Sequence, residues 1–343
     1  MKFYTIRDIA RMADVSVSTV SRVLNHRPDV NAETRARVET VMAACHFVGN
    51  ANARGLKQTE PEDVAIIVRG RQNPFLSGLA EALQEHAALM GLPCLTDFLD
   101  EKGDEFQEAL TLAQQRRVAG LIFVGSRIDE RCTPLVNMPL PMVFATVSTE
   151  GTPLSHASSV SIDDRKLAHE AVTTLLRRGL HRIAVFGGSQ VGRDSPALRA
   201  QGVADAFRGM GMVFDPERYV ETRFTLADAY QAALAFFREH RDTQAVFCMS
   251  DNAAVGVLRA LHDLDLRVPE DVSVIGVDGM EIGEYLVPRL STVVQPVQEL
   301  ARVTVEELAR LMKGGASAVP EHITVPARLV LRESVLNPND QLS

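Results

Sequence analysis

The chain reads as a small all-α helix-turn-helix headpiece followed by a larger α/β body of two doubly wound, parallel-sheet lobes. Three observations predict this. Residues 5–24, TIRDIARMADVSVSTVSRVL, have the pattern of two short helices joined by a tight turn. From Val64 onward strand-sized apolar runs alternate with helix-sized amphipathic stretches, and the alternation restarts after Asp163. At 343 residues the chain is also long enough for two or three domains.

Thr5 with Asp8 three residues on has the form of an N-terminal cap, and Ile9, Ala10 and Ala13 recur at helical spacing to make one apolar face. Asp14 ends the periodic run as a turn residue, Val15 plugs the turn, and Ser16 is placed to cap a second helix. In that helix Val20, Val23 and Leu24 form the buried stripe, so Val17, Ser18, Ser21 and Arg22 point outward. Short hydroxyls, a methyl-bearing residue and an arginine on one helix face suit the DNA major groove. Asn31 caps a third helix from about Ala32 to Cys45, which turns Val38, Val41, Met42 and Cys45 inward and leaves Arg35 and Arg37 for phosphates. Three helices of this size make a minimal core, so the headpiece is expected to be only marginally stable alone, by roughly 3 to 5 kcal/mol.

Between the two units lies NANARGLK, Asn50–Lys57. Two Asn and one Gly make it a poor isolated helix, which fits either a plain linker or a segment ordered only by a partner. Past it come the strand-sized runs VAIIV, CLTDF, GLIFV and MVFA, with helices expected over Leu76–Met90 and Glu105–Arg116. The second series comprises a helix from Asp163 to Arg178, RIAVFGG, helices over Ala197–Met210 and Leu226–Glu239, AVFCMS, a helix over Asn252–Leu264, and VSVIGVD. A strand over Ser291–Gln295, a helix over Val297–Lys313 and short strands near Ile323–Val325 and Leu329–Arg332 close the chain.

The formal net charge of -8 argues against a nucleic-acid partner only as a sum. Residues 1–59 hold 9 Lys+Arg against 5 Asp+Glu, whereas the remainder holds 27 against 39, so the basic charge sits with the DNA-like motif. Cys45, Cys94, Cys132 and Cys248 are isolated and lack a secretory leader ahead of them, as in a reduced, cytoplasmic protein. The longest apolar runs are strand-sized and predict no membrane span.

Enzyme readings fail on specifics. GGSQVG at Gly187–Gly192 is neither a dinucleotide fingerprint nor a nucleophile elbow, and His169-Glu170 lacks the second histidine of a zinc helix. No P-loop is present and the nine histidines form no ligand-spaced cluster, so no catalytic residue, metal or cofactor is expected.

The run SVSTVSRVLN at Ser16–Asn25, followed by ETRARV at Glu33–Val38, resembles the headpiece of the lactose/galactose repressor (LacI/GalR) family of bacterial transcription regulators, and the likeness continues to about residue 333. The resemblance implies that Val17, Ser18 and Arg22 read bases, Arg22 by bidentate contact to a guanine, while Thr5, Thr19, Ser21 and Asn25 hold phosphates. Ser16, Asn31, Arg54 and Lys57 complete the implied DNA face. Leu56 stands where the family's hinge helix drives a leucine into the minor groove, and apolar wedges of this kind kink DNA. Gly55 and Asn52 replace better helix formers, so ordering of this hinge is expected to depend heavily on DNA.

For the body the resemblance implies a periplasmic-binding-protein-like (type I) fold with three crossings between lobes, near Ile162, Ser291 and His322. The expected boundaries are a headpiece over 1–49, a hinge over 50–60 and an effector domain over 61–343. Its N-lobe would comprise 61–162 and 292–321, its C-lobe 163–291 and 322–336. Ligands in such folds lie between the lobes at the carboxyl ends of strands. On that rule Asn73 and Phe75 follow the first strand, where the phenyl ring would stack on a sugar or pack on the next helix. Asp278 ends VSVIGVD as a carboxylate able to accept from two hydroxyls, and Gln295 lies at a crossing.

The family's ligand-binding arginine matches Arg199, and an aromatic pocket position matches Phe224. Thr146 stands where many relatives place an acid, and Ser250 where the family more often has Asn, with Asp251 beside it as contact or helix cap. Arg71 and Arg193 are further candidates, as cleft residues or as solvated loop arginines, and this much arginine brings sugar acids and sugar phosphates in beside neutral sugars. The expected protein is a cytoplasmic regulator, associated with the nucleoid when bound, that represses carbohydrate genes from a pseudo-palindromic operator under control of such an effector. Only ten residues follow Glu333, too few for a heptad coil, so a homodimer is expected over a tetramer. The competing reading is a cytosolic sugar-binding protein or sugar-active enzyme with a non-functional headpiece.

Overall fold

The computed structural model describes residues 4–24, 27, 29–45, 47, 63–116 and 118–336. Asn25 and the hinge residues Arg54, Leu56 and Lys57 lie outside the described residues.

The headpiece is three helices, α1 Ile6–Met12, α2 Val17–Leu24 and α3 Ala32–Ala44. Thr5 and Asp8 close a reciprocal capping box on α1, so both orphan amides at that end have acceptors. Asp14 takes φ +49, a conformation in which a short polar side chain is tolerated, and this turns the chain into α2. Ser16 Oγ accepts the Thr19 amide at 3.1 Å and caps α2. Ile9, Ala10, Ala13, Val20, Val23, Val38 and Cys45 form one small core, with Val15 packed against it.

The body contains two six-stranded sheets. In the first lobe β1 Val64–Arg69, β2 Cys94–Leu99, β3 Gly120–Val124, β4 Met142–Ala145, β5 Ser158–Ser161 and β11 His322–Thr324 run in the order β11-β5-β4-β3-β1-β2, all parallel. The second lobe holds β6 Ile183–Gly187, β7 Tyr219–Glu221, β8 Ala245–Cys248, β9 Ser273–Asp278, β10 Ser291–Val294 and β12 Arg328–Val330, ordered β12-β10-β9-β8-β6-β7. Only β12 is antiparallel, at an edge where a return strand needs no crossover. Strands β1, β3, β6, β8 and β9 are buried almost throughout because helices cover both faces, which is why their sequences are continuous apolar runs.

The helices are α4 Pro74–Leu89, α5 Glu105–Gln115, α6 Asp164–Arg177, α7 Ser195–Gly209, α8 Leu226–Glu239, α9 Asp251–Asp263 and α10 Val297–Gly314. Three begin one or two residues earlier than periodicity predicts, because Asn73, Asp194 and Ser250 occupy the cap positions ahead of Pro74, Ser195 and Asp251.

Two lobe boundaries need correcting. Ser291–Val294 pairs in register with Ile275–Asp278 and so belongs to the second lobe, and the chain crosses only at Gln295. His322–Thr324 pairs with Ser159–Ser161, and the Val325 amide still bonds the Ser161 carbonyl at 2.8 Å, so the return crossing follows Val325 rather than preceding His322. Strands β5 and β7 are absent from the sequence reading. Strand β5 is SSVS, a fully buried run whose serines find partners: Ser158 Oγ accepts the Glu321 amide at 2.9 Å, and Ser159 Oγ meets His322 Nδ1 at 2.9 Å. No helix among the described residues is long and apolar enough to cross a membrane.

Candidate DNA interface and effector cleft

The headpiece presents Val17, Ser18 and Arg22 on the exposed side of α2, with Thr19 and Ser21 half-buried beside them. Their polar atoms are engaged locally. Ser16 Oγ lies 2.7 Å from Ser18 Oγ and 2.8 Å from Thr19 Oγ1, and Arg22 Nε stands 3.7 Å from the Asp29 carboxylate. Thr5 and Asn31 are helix caps, the latter accepting the Thr34 amide at 2.7 Å. Such caps leave helix N-termini at the surface, where backbone amides favour phosphate oxygens. Arg35, expected to be available to phosphates, donates from Nη2 to the Arg27 carbonyl at 2.6 Å and is half-buried; Arg37 is exposed.

A cavity of about 430 Å³ lies between the lobes where strands of both sheets end. Eight of the expected effector residues line it: Asn73, Phe75, Thr146, Arg199, Phe224, Ser250, Asp278 and Gln295. Their chemistry divides. Asn73 Oδ1 caps α4 by accepting the Phe75 amide at 3.1 Å, and Ser250 Oγ caps α9 by accepting from Ala253 at 3.0 Å. Phe75 is nearly buried and offers only part of its ring. Phe224 is held from behind by Asn252, whose amide donates to the Phe224 carbonyl at 2.8 Å. Thr146 sits at φ +78, and its Oγ1 accepts the Gly125 amide at 3.2 Å.

Arg199 and Asp278 form the polar floor. Arg199 is buried, with Nε donating to Asp164 Oδ1 at 2.7 Å and Nη1 to the Met249 carbonyl. Asp278 is buried in a strained left-handed conformation, φ +122, a cost that persists only where the surroundings enforce it. Gly279 follows at φ +76, and a Cβ there would stand 2.8 Å from Val294 Cα. Asp278 Oδ1 accepts from Gln295 Nε2 at 2.7 Å, whereas Oδ2 is buried without a partner. Burial pushes its carboxyl well above the usual range, and Arg199 opposes that rise.

Three expected residues do not line the cleft. Gly70, at φ +99, turns the chain so that Arg71 projects into solvent. Arg193 is exposed and clasps the opposite lobe, donating from Nη1 to the Gly151 carbonyl at 2.9 Å and from Nη2 to Glu150 at 3.3 Å. Asp251 is fully buried behind the floor, where it accepts from Thr292 Oγ1 at 2.6 Å and the Met280 amide at 2.7 Å. It lies so close to β9 that a Cβ on Gly276 would stand 2.1 Å from its Oδ1.

The cleft also holds residues that sequence reasoning missed: Arg69, Glu101, Ser126, Arg127, Asp194 and Arg223. Arg69 ends β1 and Ser126-Arg127 follow β3, so the strand-end rule was a usable signal for them. Glu101 follows β2 by the same rule, whereas Arg223 follows β7, a strand the sequence does not reveal, and the two meet at 2.9 Å only because the lobes face each other. Ser195 Oγ to the Thr146 carbonyl, at 3.0 Å, and Arg127 Nε to Asp194 Oδ2, at 3.7 Å, also bridge the lobes. Among the described residues no cluster of His, Cys, Asp or Glu is placed to hold a metal ion.

A helix-turn-helix headpiece joined to a two-lobed, cleft-bearing α/β body defines a class: a DNA-binding regulator with a ligand-binding domain of the periplasmic type. Residues 5–50 match the family described as bacterial regulatory proteins, lacI family, and residues 172–335 the periplasmic binding protein-like domain. The HTH-type transcriptional regulator MalR of Clostridium butyricum is 30% identical over 97% of this chain and 99% of its own. Catabolite control protein A of Staphylococcus epidermidis is 29% identical over 96% of this chain and 98% of its own. Among solved structures, the lac repressor dimer bound to operator and the anti-inducer ONPF superposes with TM-score 0.71 at 26% identity, covering 98% of this chain and all of that one. The transcriptional regulator CelR in complex with cellobiose gives 0.73 at 25%, covering 96% and 99%. The chain belongs to the lacI family of bacterial regulatory proteins, and it is a DNA-binding transcriptional regulator rather than an enzyme.

Proposed function

We propose that the protein is a homodimeric repressor of carbohydrate-utilisation genes, acting in the cytoplasm on a pseudo-palindromic operator and controlled by a sugar-like effector bound between its lobes. The observation that carries this reading is the half-satisfied floor of the cleft: Asp278 Oδ2 is buried and unpartnered beside Arg199 and Gln295, with Phe75 and Phe224 at the walls. A buried carboxylate oxygen without a donor is costly, and a hydroxyl-rich ligand with one apolar face supplies the donor. Val17, Ser18 and Arg22 would read bases, with Thr5, Ser16, Thr19, Ser21, Asn25 and Asn31 at phosphates and Leu56, flanked by Arg54 and Lys57, as the hinge wedge. Two related structures fit this reading, the lac repressor dimer bound to operator and CelR in complex with cellobiose. Effector binding selects one lobe arrangement, which sets the spacing of the two hinges and of the two recognition helices.

Two measurements test it. Thermal unfolding against a panel of neutral sugars, sugar acids and sugar phosphates is expected to find a ligand that raises the transition, a saturating one at about 100 times its dissociation constant adding roughly 2.7 kcal/mol. Retention on operator-containing DNA is expected to fall by about 0.9 log unit per log unit of salt for every phosphate neutralised, and to change when that ligand is added. Retention insensitive to salt, or a cleft ligand without effect on it, would sink the proposal and favour a sugar-binding protein with an idle headpiece.

A further inference from the structure

Four arginines line the cleft, and they are paired in two different ways. Arg199 and Arg223 are closed into hydrogen-bonded ion pairs, at 2.7 Å to Asp164 and 2.9 Å to Glu101. Arg69 and Arg127 are not: each has its nearest carboxylate, Glu105 and Asp194 respectively, at 3.7 Å from Nε. Unsatisfied polar atoms gather at the same end. Arg69 Nε, Glu105 Oε2, Asp194 Oδ1 and the hydroxyl of Ser126, itself only 5% exposed, are all buried without hydrogen-bond partners.

Asp194 is the informative member. It stands at the N-cap of the fifteen-residue helix α7, the position aspartate suits best, yet its side chain makes no capping hydrogen bond. Its carboxylate instead faces Arg127 of the opposite lobe. Burial holds the carboxyl above its ordinary value, against the Arg127 guanidinium and, more weakly, the Ala197 amide, which draw it down. Glu105, fully buried, is raised for the same reason.

We propose that this end of the cleft is an anion subsite, built from Arg69, Arg127, Ser126 and the amino end of α7, and that Asp194 occupies it as an internal stand-in for a carboxylate or phosphate on the effector. A ligand anion takes the guanidinium of Arg127, and the Asp194 side chain turns to the Ala197 amide and caps α7. The exchange removes one interlobe contact while the hydrogen bonds from Arg193, Ser195 and Arg223 remain, so the charged part of the effector biases the lobes away from the arrangement described here. The inference rests on the cleft being the effector site, and it adds the charge of the ligand.

The test uses the full chain and inorganic phosphate, with acetate as the planar alternative, at ionic strength held constant with chloride. An internal competitor that fills a site nine-tenths of the time weakens apparent affinity about tenfold. Asp194→Asn, which keeps a good cap for α7, is therefore expected to lower the half-saturating phosphate concentration about tenfold in thermal unfolding. Arg127→Gln should abolish the response, and Arg241→Ala, an exposed arginine beyond α8 that does not line the cleft, should leave it unchanged. Acetate acting as strongly as phosphate assigns a carboxylate ligand; phosphate acting alone assigns a phosphate ester. Equal phosphate affinity in wild type and Asp194→Asn, no response in either, or a response that survives Arg127→Gln overturns the proposal. Neutral-sugar binding and operator retention are read separately, so those outcomes leave the effector-cleft reading standing on its own.

Discussion

The headpiece and the two-lobed body solve opposite problems with polar groups. On α2 the hydroxyls of Ser16, Ser18 and Thr19 satisfy one another at an exposed surface, ready to exchange partners with a polyanion at little cost. In the cleft, polar atoms are buried and several have no partner within the protein, so a molecule entering there meets hydrogen-bonding groups that the fold leaves open. The first arrangement makes contacts exchangeable and salt-sensitive; the second makes them selective. Stability follows the same division. Seven small side chains form the headpiece core, whereas each lobe buries whole strands between helices.

The largest effect that sharpens this contrast is expected at the cleft floor. Arg199→Ala leaves Asp164 without its buried partner and Asp278 without the cation that restrains its pKa. Removing one member of a buried ion pair costs about 3 to 5 kcal/mol, so denaturant unfolding should show a body weakened by that order and a thermal response to effector that is gone. A variant of unchanged stability would mean that the arginine serves only the ligand.

The complementary cut is in the headpiece. Ile9 is fully buried there, and truncating such a residue to alanine costs about 2 to 5 kcal/mol, comparable to the roughly 3 to 5 kcal/mol a core this small supplies. Ile9→Ala should therefore abolish operator retention while the thermal transition of the body stays in place. A coincident shift of that transition would show that the two regions unfold as one unit and break the comparison.

How much of this was legible in the sequence follows from the range of the interactions. The headpiece depends on neighbours three or four residues apart, so Thr5 with Asp8, Asp14 in its turn and Ser16 as a cap are readable locally. The lobes are equally readable where strands are long and apolar, and not where β5 is four residues of serine and valine. In the cleft, Arg199 and Asp278 fall on strand-end and family positions. The pairing of Glu101 with Arg223 has no local signature, since 122 positions separate them and only lobe apposition brings them together. Arg71 and Arg69 look alike in sequence; the positive φ of Gly70 decides which of them enters the cleft.

Asp251 offers the smallest and most specific test. Expected as a ligand contact or a helix cap, it lies instead behind the site, bonded to Thr292 and to the Met280 amide beside the strained Asp278. Burial raises its carboxyl to about 6, against hydrogen bonds that lower it. The folded value thus exceeds the unfolded one, near 4, so the group's contribution to stability is complete below pH 4 and is lost as pH rises to 6. Two pH units at 1.36 kcal/mol each bound the loss at about 3 kcal/mol. Asp278 on β9 and Cys248 on β8 titrate nearby, both pushed up by burial, and Arg332 adds a fixed charge. Asp251→Asn keeps these neighbours and removes one titration. Urea unfolding of the pair at pH 4, 5, 6 and 7 should therefore give a stability difference that changes between pH 4 and 6, in the variant's favour, and is flat above. A difference constant across the range would mean that the hydrogen bonds from Thr292 and Met280 cancel the effect of burial, and would overturn the expected titration.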